Sequence, residues 1–501
     1  MMKIKELINE IDVISAYIPD EIKRRTILSL CHDSRQASPT CAFFCKVGAF
    51  NDGHIFARNA YCNGARIFVA EKELDLPDDA AVIITPSSND ALSKMAVKFY
   101  GDPAKELNII GITGTKGKTT VALSAYYIAI SAGVSAGYIG TNGIYYNGKV
   151  FETANTTPDV LELQKALREM LDDGVTTVML EVSSQALWQK RIYGLKFHSC
   201  VFTNLYRDHI GGVEHPNFEH YRDCKRKLFT EYDVQRIIVN SDCEDSKYML
   251  DGAYCKEIIT TSASGNESCA IYAKNVMKLK SGCFPGISFE CQVGADEKSE
   301  VFMRAPGKYS AENGLLIIGM CMSLGISFEK IVEELASLTI PGRFETIQLE
   351  NKPNSLFVID YAHNGASLKA VLKSLREYGP ERIICLFGSV GGRTFERRRE
   401  LGEVARDYAD VIIVTSDNPN NENPAEIANE IGEAIGDTDK PVYLIVDRKK
   451  AIEEAVRIAR PGDYVLLAGK GHETYQLIEG RHVPFSEKNI LILADKIFSE
   501  I

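Results

Sequence analysis

Five short apolar runs alternate with helical stretches in the last third of the chain, and this alternation is the strongest constraint on the fold. The runs read SLFVIDYAH, RIICLFGS, DVIIVTSDNP, PVYLIVDR and DYVLLAGKGHE. Stretches with helical periodicity, such as NPAEIANEIGEAIG and DRKKAIEEAVRIA, lie between them. Strands that alternate with helices in this way build a mostly parallel sheet. We therefore predict a Rossmann-like α/β domain over residues 341–501.

Each of these runs ends in polar or glycine-rich residues. The ends are His363, residues 389–393, residues 417–420, Asp447 with Arg448, and residues 469–473. In an open α/β sheet, ligands bind outside the carboxyl ends of the strands. Five polar strand ends therefore predict a ligand site along one edge of this sheet.

A strand, a glycine loop and a helix follow one another between Asn108 and Gly133, in the sequence NIIGITGTKGKTTVALSAYYIAISAG. Glycines let backbone N–H groups approach phosphate oxygens, and the helix N-terminus adds partial positive charge. We expect Lys118 to reach terminal phosphates and Thr119 to offer its hydroxyl to Mg²⁺. The usual phosphate-loop pattern has a glycine where this chain has Ile112, so the match is partial.

Two more residues suit a metal–nucleotide site. Glu181 ends the apolar run TTVMLE, and His209 follows another strand end in TNLYRDHIGG. An acid in the position of Glu181 often meets Mg²⁺. Taken singly, the same residues fit a capping acid and a surface histidine, and Lys225 in YRDCKRKLF fits a solvated lysine.

Length and charge limit the remaining possibilities. A chain of 501 residues is too long for one core, and we predict domains over residues 1–104, 105–340 and 341–501, the central one built on a parallel sheet. The formal net charge of −11 argues against a nucleic-acid partner. The start of the sequence lacks the apolar run of a signal peptide and no apolar stretch reaches membrane-spanning length, so we expect neither a signal peptide nor a membrane span. Because the 13 cysteines are scattered, we expect reduced thiols and a cytoplasmic location. We also expect the protein to be monomeric.

About a dozen motifs occur in one order along the chain, and this set resembles the Mur ligases, in particular their UDP-N-acetylmuramyl-tripeptide synthetase (MurE-type) branch. They include DSRQASPTCAFF, TGTKGKTT, NTTPD, EVSSQAL, VFTNLYRDHI, YRDCKRKLF, PGRFE, VIDYAHNG, TSDNPNNENP and GKGHETYQ. The resemblance implies a three-domain α/β fold. It also implies ATP- and Mg²⁺-dependent ligation of a free diamino acid to the D-glutamate of a UDP-muramyl dipeptide, through an acyl phosphate.

The resemblance also implies roles for individual residues. The implied catalytic residues are Lys118, Glu181, His209, Lys225 and His363. The implied ATP-binding residues are Gly114, Thr115, Lys116, Gly117, Lys118, Thr119, Thr120, Asn313, Arg343 and Asp360. The implied metal ligands are Thr119, Glu181, His209 and Lys225, the last as an N6-carboxylysine (carbamate).

Substrate contacts follow from the same resemblance. Ser34 and Arg35 match the uridine end of the family's substrate site. Thr156, Thr157, Ser183, Gln189 and Arg191 match contacts to the muramyl dipeptide. The implied pocket for the incoming amino acid contains Arg393, Asp417, Asn418, Asn420, Gly469 and Glu473.

Asn420 bears on which amino acid is added. Family members that add meso-diaminopimelate usually have an arginine there, which can pair bidentately with the distal carboxylate. Asparagine at this position accompanies L-lysine. We therefore predict L-lysine as the substrate, with meso-diaminopimelate as the alternative if Arg393 or another arginine compensates.

Two other functions remain open at this point. A folylpolyglutamate synthetase would share the ATP loop and the carbamate, but the N-terminal DSR segment and the DNPN segment argue against it. A non-catalytic nucleotide-dependent scaffold would have no need of intact Lys118, Glu181, His209 and Lys225.

Overall fold

The structure, a computed structural model, describes residues 1–48, 52–208, 210–211, 214–281, 284–392 and 395–499. The helices are α1 (Ile4–Glu10), α2 (Asp20–Lys23), α3 (Ala57–Cys62), α4 (Ser88–Phe99), α5 (Lys118–Ser131), α6 (Val160–Asp172), α7 (Ser184–Trp188), α8 (Phe218–Thr230), α9 (Ser246–Leu250), α10 (Lys308–Ser323), α11 (Phe328–Ser337), α12 (Gly365–Arg376), α13 (Phe395–Tyr408), α14 (Pro424–Ile435), α15 (Arg448–Ile458) and α16 (Glu487–Ser499). Among the helices that the structure describes, none combines the length and apolar character needed to cross a membrane.

The strands are β1 (Met2–Lys3), β2 (Ser15–Tyr17), β3 (Thr26–Ile27), β4 (Ser29–Cys31), β5 (Cys41–Phe44), β6 (Ile67–Ala70), β7 (Ala81–Ile84), β8 (Asn108–Thr113), β9 (Ala136–Gly140), β10 (Gly143–Tyr146), β11 (Lys149–Phe151), β12 (Thr177–Glu181), β13 (Lys196–Phe202), β14 (Asp233–Asn240), β15 (Glu257–Ser262), β16 (Ile271–Ser281), β17 (Phe284–Val293), β18 (Glu297–Met303), β19 (Glu345–Ile347), β20 (Leu356–Asp360), β21 (Ile383–Phe387), β22 (Val411–Val414), β23 (Val442–Leu444), β24 (Tyr464–Ala468), β25 (Tyr475–Ile478) and β26 (Arg481–Pro484). The chain divides into two compact units, residues 1–261 with 319–326 and residues 262–318 with 327–501.

The first unit contains two larger sheets. One has the order β2-β7-β6-β5-β4, in which only β2 is antiparallel to its neighbour. The other has the order β11-β10-β9-β12-β8-β13-β14-β15. Its six strands β9, β12, β8, β13, β14 and β15 are parallel, and β10 and β11 are antiparallel to their neighbours. β8, β12 and β13 lie side by side, so the phosphate loop after β8, Glu181 at the end of β12 and the loop after β13 share one edge.

The second unit contains an antiparallel meander, β16-β17-β18, and a six-stranded sheet of order β19-β20-β24-β21-β22-β23. All strands of the larger sheet except β19 are parallel. Separate apolar clusters pack on its two faces, one around Leu368 and Ile431 and the other around Ile452 and Leu491. The sheet is therefore covered by helices on both sides, as the Rossmann-like prediction requires. The domain boundaries at residues 104 and 340 remain predictions.

Candidate functional site

The loop from Gly114 to Thr120 joins β8 to the N-terminus of α5, as the sequence predicts. Gly117 caps the helix with a left-handed φ of 84°, which favours glycine. Gly114 has a φ of 148°, and a Cβ there would lie 2.0 Å from the Thr203 side chain. Both glycines are thus required by the shape of the loop, which leads into the N-terminus of α5, a favourable place for phosphate.

The segment after β13 fixes the position of this loop. Asn204 accepts hydrogen bonds from the backbone N–H groups of Thr115 and Lys116, each 2.9 Å long. The Thr203 hydroxyl donates to the Lys116 carbonyl at 2.7 Å. The Thr115 and Tyr221 hydroxyls lie 3.0 Å apart. Sequence reasoning missed these supporting residues. Thr203 and Asn204 form the polar end of the run CVFTNL, which was a usable signal for these two.

Glu181 is fully buried at the end of β12 and accepts several hydrogen bonds. The Thr119 hydroxyl donates to its Oε2 at 3.0 Å, and the Tyr138 hydroxyl donates to its Oε1 at 2.5 Å. The backbone N–H and hydroxyl of Thr141 add bonds of 3.1 and 3.2 Å. Because Thr119 and Glu181 place a hydroxyl and a carboxylate together at the phosphate loop, their oxygens suit a hard cation such as Mg²⁺. Of the two other predicted ligands, Lys225 is described next, and His209 lies outside the described residues.

Lys225 lies on α8 and is buried, with only 2% of its surface exposed, so its reading as a solvated lysine is wrong. Its Nζ contacts the Gly114 carbonyl oxygen at 2.9 Å and lies 4.6 Å from the centre of the Tyr221 ring. Burial lowers the pKa of Lys225 far below its usual value, and the nearby charge of Lys118 lowers it further. The lowered pKa favours the neutral amine of Lys225, the form that can react with CO₂.

Lys118 and Lys225 share one acceptor. The Lys118 Nζ donates to the Gly114 carbonyl at 2.9 Å and to the Thr115 carbonyl at 3.0 Å. Two ammonium groups on the Gly114 oxygen would repel each other, which agrees with a neutral Lys225.

A cavity of about 270 Å³ brings several predicted residues of the first unit together. Lys118, Lys225, Thr156, Ser183 and Arg191 all line it. It therefore joins residues predicted for the phosphates to residues predicted for the dipeptide.

The remaining dipeptide residues lie next to this cavity. Thr157 is fully buried; its hydroxyl donates to the Glu181 carbonyl at 2.8 Å and accepts from the Ser183 N–H at 3.0 Å. Thr157 therefore fixes the position of Ser183, which lines the cavity. Arg191 donates to the Thr157 carbonyl at 2.9 Å and to Gln189 Oε1 at 2.8 and 3.0 Å. Gln189 and Arg191 also line a larger cavity of about 820 Å³.

Ser34 and Arg35, predicted for the uridine end, form a 3₁₀ turn just after β4. The Arg35 guanidinium pairs with Asp33 at 2.6 Å and is 87% exposed. The Ser34 carbonyl accepts a bond from the Asn63 amide at 2.8 Å. Both residues thus lie at the carboxyl end of a parallel strand, and their role in binding uridine remains a prediction.

In the second unit, a buried lysine contacts several residues of the predicted amino-acid pocket. Lys470 has no exposed side-chain surface and donates to Asn418 Oδ1 at 2.9 Å and to Glu473 Oε2 at 2.8 Å. Its Nζ lies 3.6 Å from Asp417, and a Cβ on Gly469 would lie 2.7 Å from the same carboxylate. Sequence reasoning missed Lys470, although its place between Gly469 and Glu473 in GKGHE was a usable signal.

We expect Lys470→Met to destabilise the protein by about 3 kcal/mol, because it leaves the buried carboxylate of Asp417 and the partly buried carboxylate of Glu473 without their cation. The shift of the urea unfolding midpoint, followed by circular dichroism, measures this loss. Lys488→Met is the matched control, since it removes a lysine that is 56% exposed and pairs with Glu345 at 2.9 Å. We expect the control to cost less than about 1 kcal/mol, and equal shifts would contradict the prediction.

The backbone conformation and the hydrogen bonds at position 420 favour asparagine. Its φ is 54°, in the left-handed region that asparagine tolerates better than most residues. Its side-chain oxygen accepts the Gly480 N–H at 3.2 Å, and its backbone bonds to Leu477 and Glu479, which fixes the hairpin β25–β26. Asparagine at this position therefore says little about the amino acid that is added. Arg393, the predicted neighbour in this pocket, lies outside the described residues.

The other nucleotide-contacting residues predicted from the resemblance lie in the second unit. Arg343 stacks 4.8 Å from the centre of the Tyr361 ring, and Asp360 accepts the Phe344 N–H at 2.7 Å. Burial raises the pKa of Asp360, against the effect of Arg343. The Nδ1 of His363 lies 2.8 Å from the Tyr361 carbonyl oxygen, and Asn313 is buried in α10. Arg343, Asp360 and His363 thus meet at the end of β20.

Comparison with known proteins gives a consistent result along the chain. Residues 26–100 match the catalytic domain of the Mur ligase family, residues 112–321 the Mur ligase middle domain, and residues 342–471 the glutamate ligase domain of Mur ligases. A UDP-N-acetylmuramoyl-L-alanyl-D-glutamate–2,6-diaminopimelate ligase from Clostridium botulinum is 34% identical over 93% of this chain and 95% of its own length.

Two solved structures share the fold. A UDP-N-acetylmuramoyl-L-alanyl-D-glutamate–2,6-diaminopimelate ligase superposes with a TM-score of 0.67 and 27% identity, over 99% of both chains. The MurF ligase from Thermotoga maritima in complex with ADP has a TM-score of 0.59 at 19% identity, over 96% of this chain and 100% of its own. The predicted three-domain α/β fold is confirmed, and the chain belongs to the Mur ligase family of ATP-dependent amide-bond ligases.

Proposed function

We propose that this protein uses ATP to join 2,6-diaminopimelate to the D-glutamate carboxylate of UDP-N-acetylmuramoyl-L-alanyl-D-glutamate. The main support is the cavity in which Lys118 and Lys225 lie with Thr156, Ser183 and Arg191. Lys118 and Arg191 bring positive charge to this cavity, which suits a reaction in which a carboxylate and a triphosphate, both anionic, have to meet. The relatives that carry this substrate in their names support the choice of substrate.

In the proposed reaction, a carboxylate oxygen takes the γ-phosphoryl group of ATP, giving an acyl phosphate and ADP. The amine of the incoming amino acid then attacks the carbonyl carbon and releases phosphate, and the amine proton passes to solvent. Lys118 neutralises phosphate charge, and Arg191 orients the dipeptide. Thr119, Glu181 and Lys225 as a carbamate would hold Mg²⁺, which supplies further positive charge when bound.

The names of the relatives do not support the prediction of L-lysine. That prediction depended on Asn420, whose side chain is bonded to the backbone of the β25–β26 hairpin. We therefore favour 2,6-diaminopimelate as the amino acid that is added.

A panel of amino acids tests both the proposed ligase activity and the identity of the amino acid that is added. With the UDP-muramyl dipeptide and ATP, we expect kcat/KM for meso-diaminopimelate to exceed that for L-lysine by about tenfold or more, which corresponds to about 1.4 kcal/mol. Phosphate release and the mass of the new amide are the measurements. A preference for L-lysine would contradict the amino-acid assignment alone. Phosphate release that never depends on the dipeptide, or that yields no amide, would contradict the ligase proposal, and a folate with L-glutamate is the negative control.

A further inference from the structure

Two histidines and a cysteine of the first unit converge at the start of α8, outside the residues assigned to ATP and Mg²⁺. The residues are His215, His220 and Cys224, and their ligand atoms all lie within 4.8 Å of one another. His220 and Cys224 are four positions apart on α8, so they share one face of the helix. Three donors thus meet from a loop and a single helical turn.

The geometry of the cluster is that of a nearly formed metal site. The Nδ1 atoms of His215 and His220 are 2.8 Å apart, and the Cys224 sulfur lies 3.8 Å from the His220 ring nitrogens. The ligand–ligand distances in a tetrahedral zinc site are about 3.3–3.6 Å, so small ring rotations would suffice. The Nε2 of His215 bonds to the Ser184 hydroxyl at 2.8 Å, and this outer partner fixes the ring with Nδ1 toward His220.

We propose that His215, His220 and Cys224 bind one Zn²⁺ ion, with solvent in the fourth position. One thiolate and two imidazoles form a donor set that zinc prefers, whereas Mg²⁺ prefers oxygen ligands. When the ion binds, the Cys224 thiol releases its proton to solvent, and the proton between the two Nδ1 atoms moves to the Nε2 of its own ring, so that each neutral imidazole keeps one N–H. Lys225 is not part of this site, because its Nζ contacts Gly114.

Trp188 provides a direct reporter for this site. It is the only tryptophan of the sequence, and its ring lies 5.9 Å from that of His215 and 5.2 Å from that of His220. Trp188 and His220 also line the 820 Å³ cavity, so an ion can reach the site from solvent. A paramagnetic ion held by these histidines is therefore expected to quench the fluorescence of Trp188.

The test uses the full chain in excess Mg²⁺, titrated with Co²⁺ and then Zn²⁺. We expect Co²⁺ to quench Trp188 and to give a cobalt–thiolate absorption band. We expect Zn²⁺ to displace it at one ion per chain, with a dissociation constant of about 1 μM or lower. Cys224→Ala should remove the absorption band, and both Cys224→Ala and His220→Asn should weaken binding at least tenfold. Cys62→Ala, which changes an exposed cysteine, should leave both signals unchanged.

Circular dichroism shows whether each variant is folded. If Cys224→Ala does not fold, His220→Asn decides the question, because His220 is only partly buried. Failure of the unmodified protein to bind Zn²⁺, or equal binding by the folded variants, would overturn the proposal. These results do not depend on ligase activity.

Discussion

Replacing Lys225 by alanine is expected to reduce amide formation by about 10³-fold or more, and acetate or a similar small acid is expected to restore part of the rate. The neutral amine of Lys225 can attack CO₂ to give a carbamate anion and a proton, which converts a buried base into an oxygen ligand. Alanine removes that anion from the phosphate loop, and an unmodified ammonium would repel Mg²⁺. A free carboxylate can take the vacated place and supply similar oxygens. The measurements are the rates of phosphate release and amide formation with and without acetate.

Lys227→Ala is the matched control for this experiment. Lys227 lies on the same helix, pairs with Glu231 at 3.6 Å and has 38% of its side chain exposed. We expect near-normal activity from this variant, and no effect of acetate on it. Full activity of Lys225→Ala without acetate would refute the carbamate role. Protein equilibrated with ¹³C-bicarbonate should show a carbamate signal that is absent in Lys225→Ala.

Much of the fold could be predicted from the sequence because most strands of the parallel sheets are buried on both faces. The five apolar runs of the last third correspond to β20–β24, since parallel strands covered by helices need continuous apolar residues. The order of the strands could not be predicted. β24 is the last of the five in sequence but lies between β20 and β21, and such long-range pairing leaves no local pattern.

The glycine loop between a strand and a helix was predictable, because only glycine suits the backbone there, and the phosphate-binding role of Lys118 stays a prediction. The site was less predictable where the state of a side chain depends on residues that are distant in sequence. The sequence around Lys225 is charged, and only tertiary packing shows that this lysine is buried. The bonds of Tyr138 and Thr141 to Glu181 likewise depend on β9 lying beside β12, which no spacing in the sequence encodes. Asn420 is a weak guide to the amino acid that is added, because its side chain bonds to backbone.

Lys118→Met is expected to lower kcat/KM for ligation by about 10³-fold, because it removes the cation that we propose for the terminal phosphates while keeping the length of the side chain. A second effect follows from the charge of Lys118, which lowers the pKa of Lys225. Without that charge the pKa of Lys225 rises, so a smaller fraction of the amine is neutral at a given pH. We therefore expect lower carbamate occupancy in this variant, and an occupancy that recovers as the pH is raised.

Lys116→Met separates this role from a general loss of positive charge in the loop. Lys116 is only two positions away, but its side chain is 46% exposed and pairs with Asp208 at 3.0 Å. We expect its loss to cost less than about tenfold, since an exposed charge is screened by solvent. ATP affinity and the ¹³C carbamate signal, measured for both variants, distinguish the two effects of Lys118. Equal losses in the two variants would show that the loop needs only net charge. A normal carbamate signal in Lys118→Met would show that burial alone keeps Lys225 neutral.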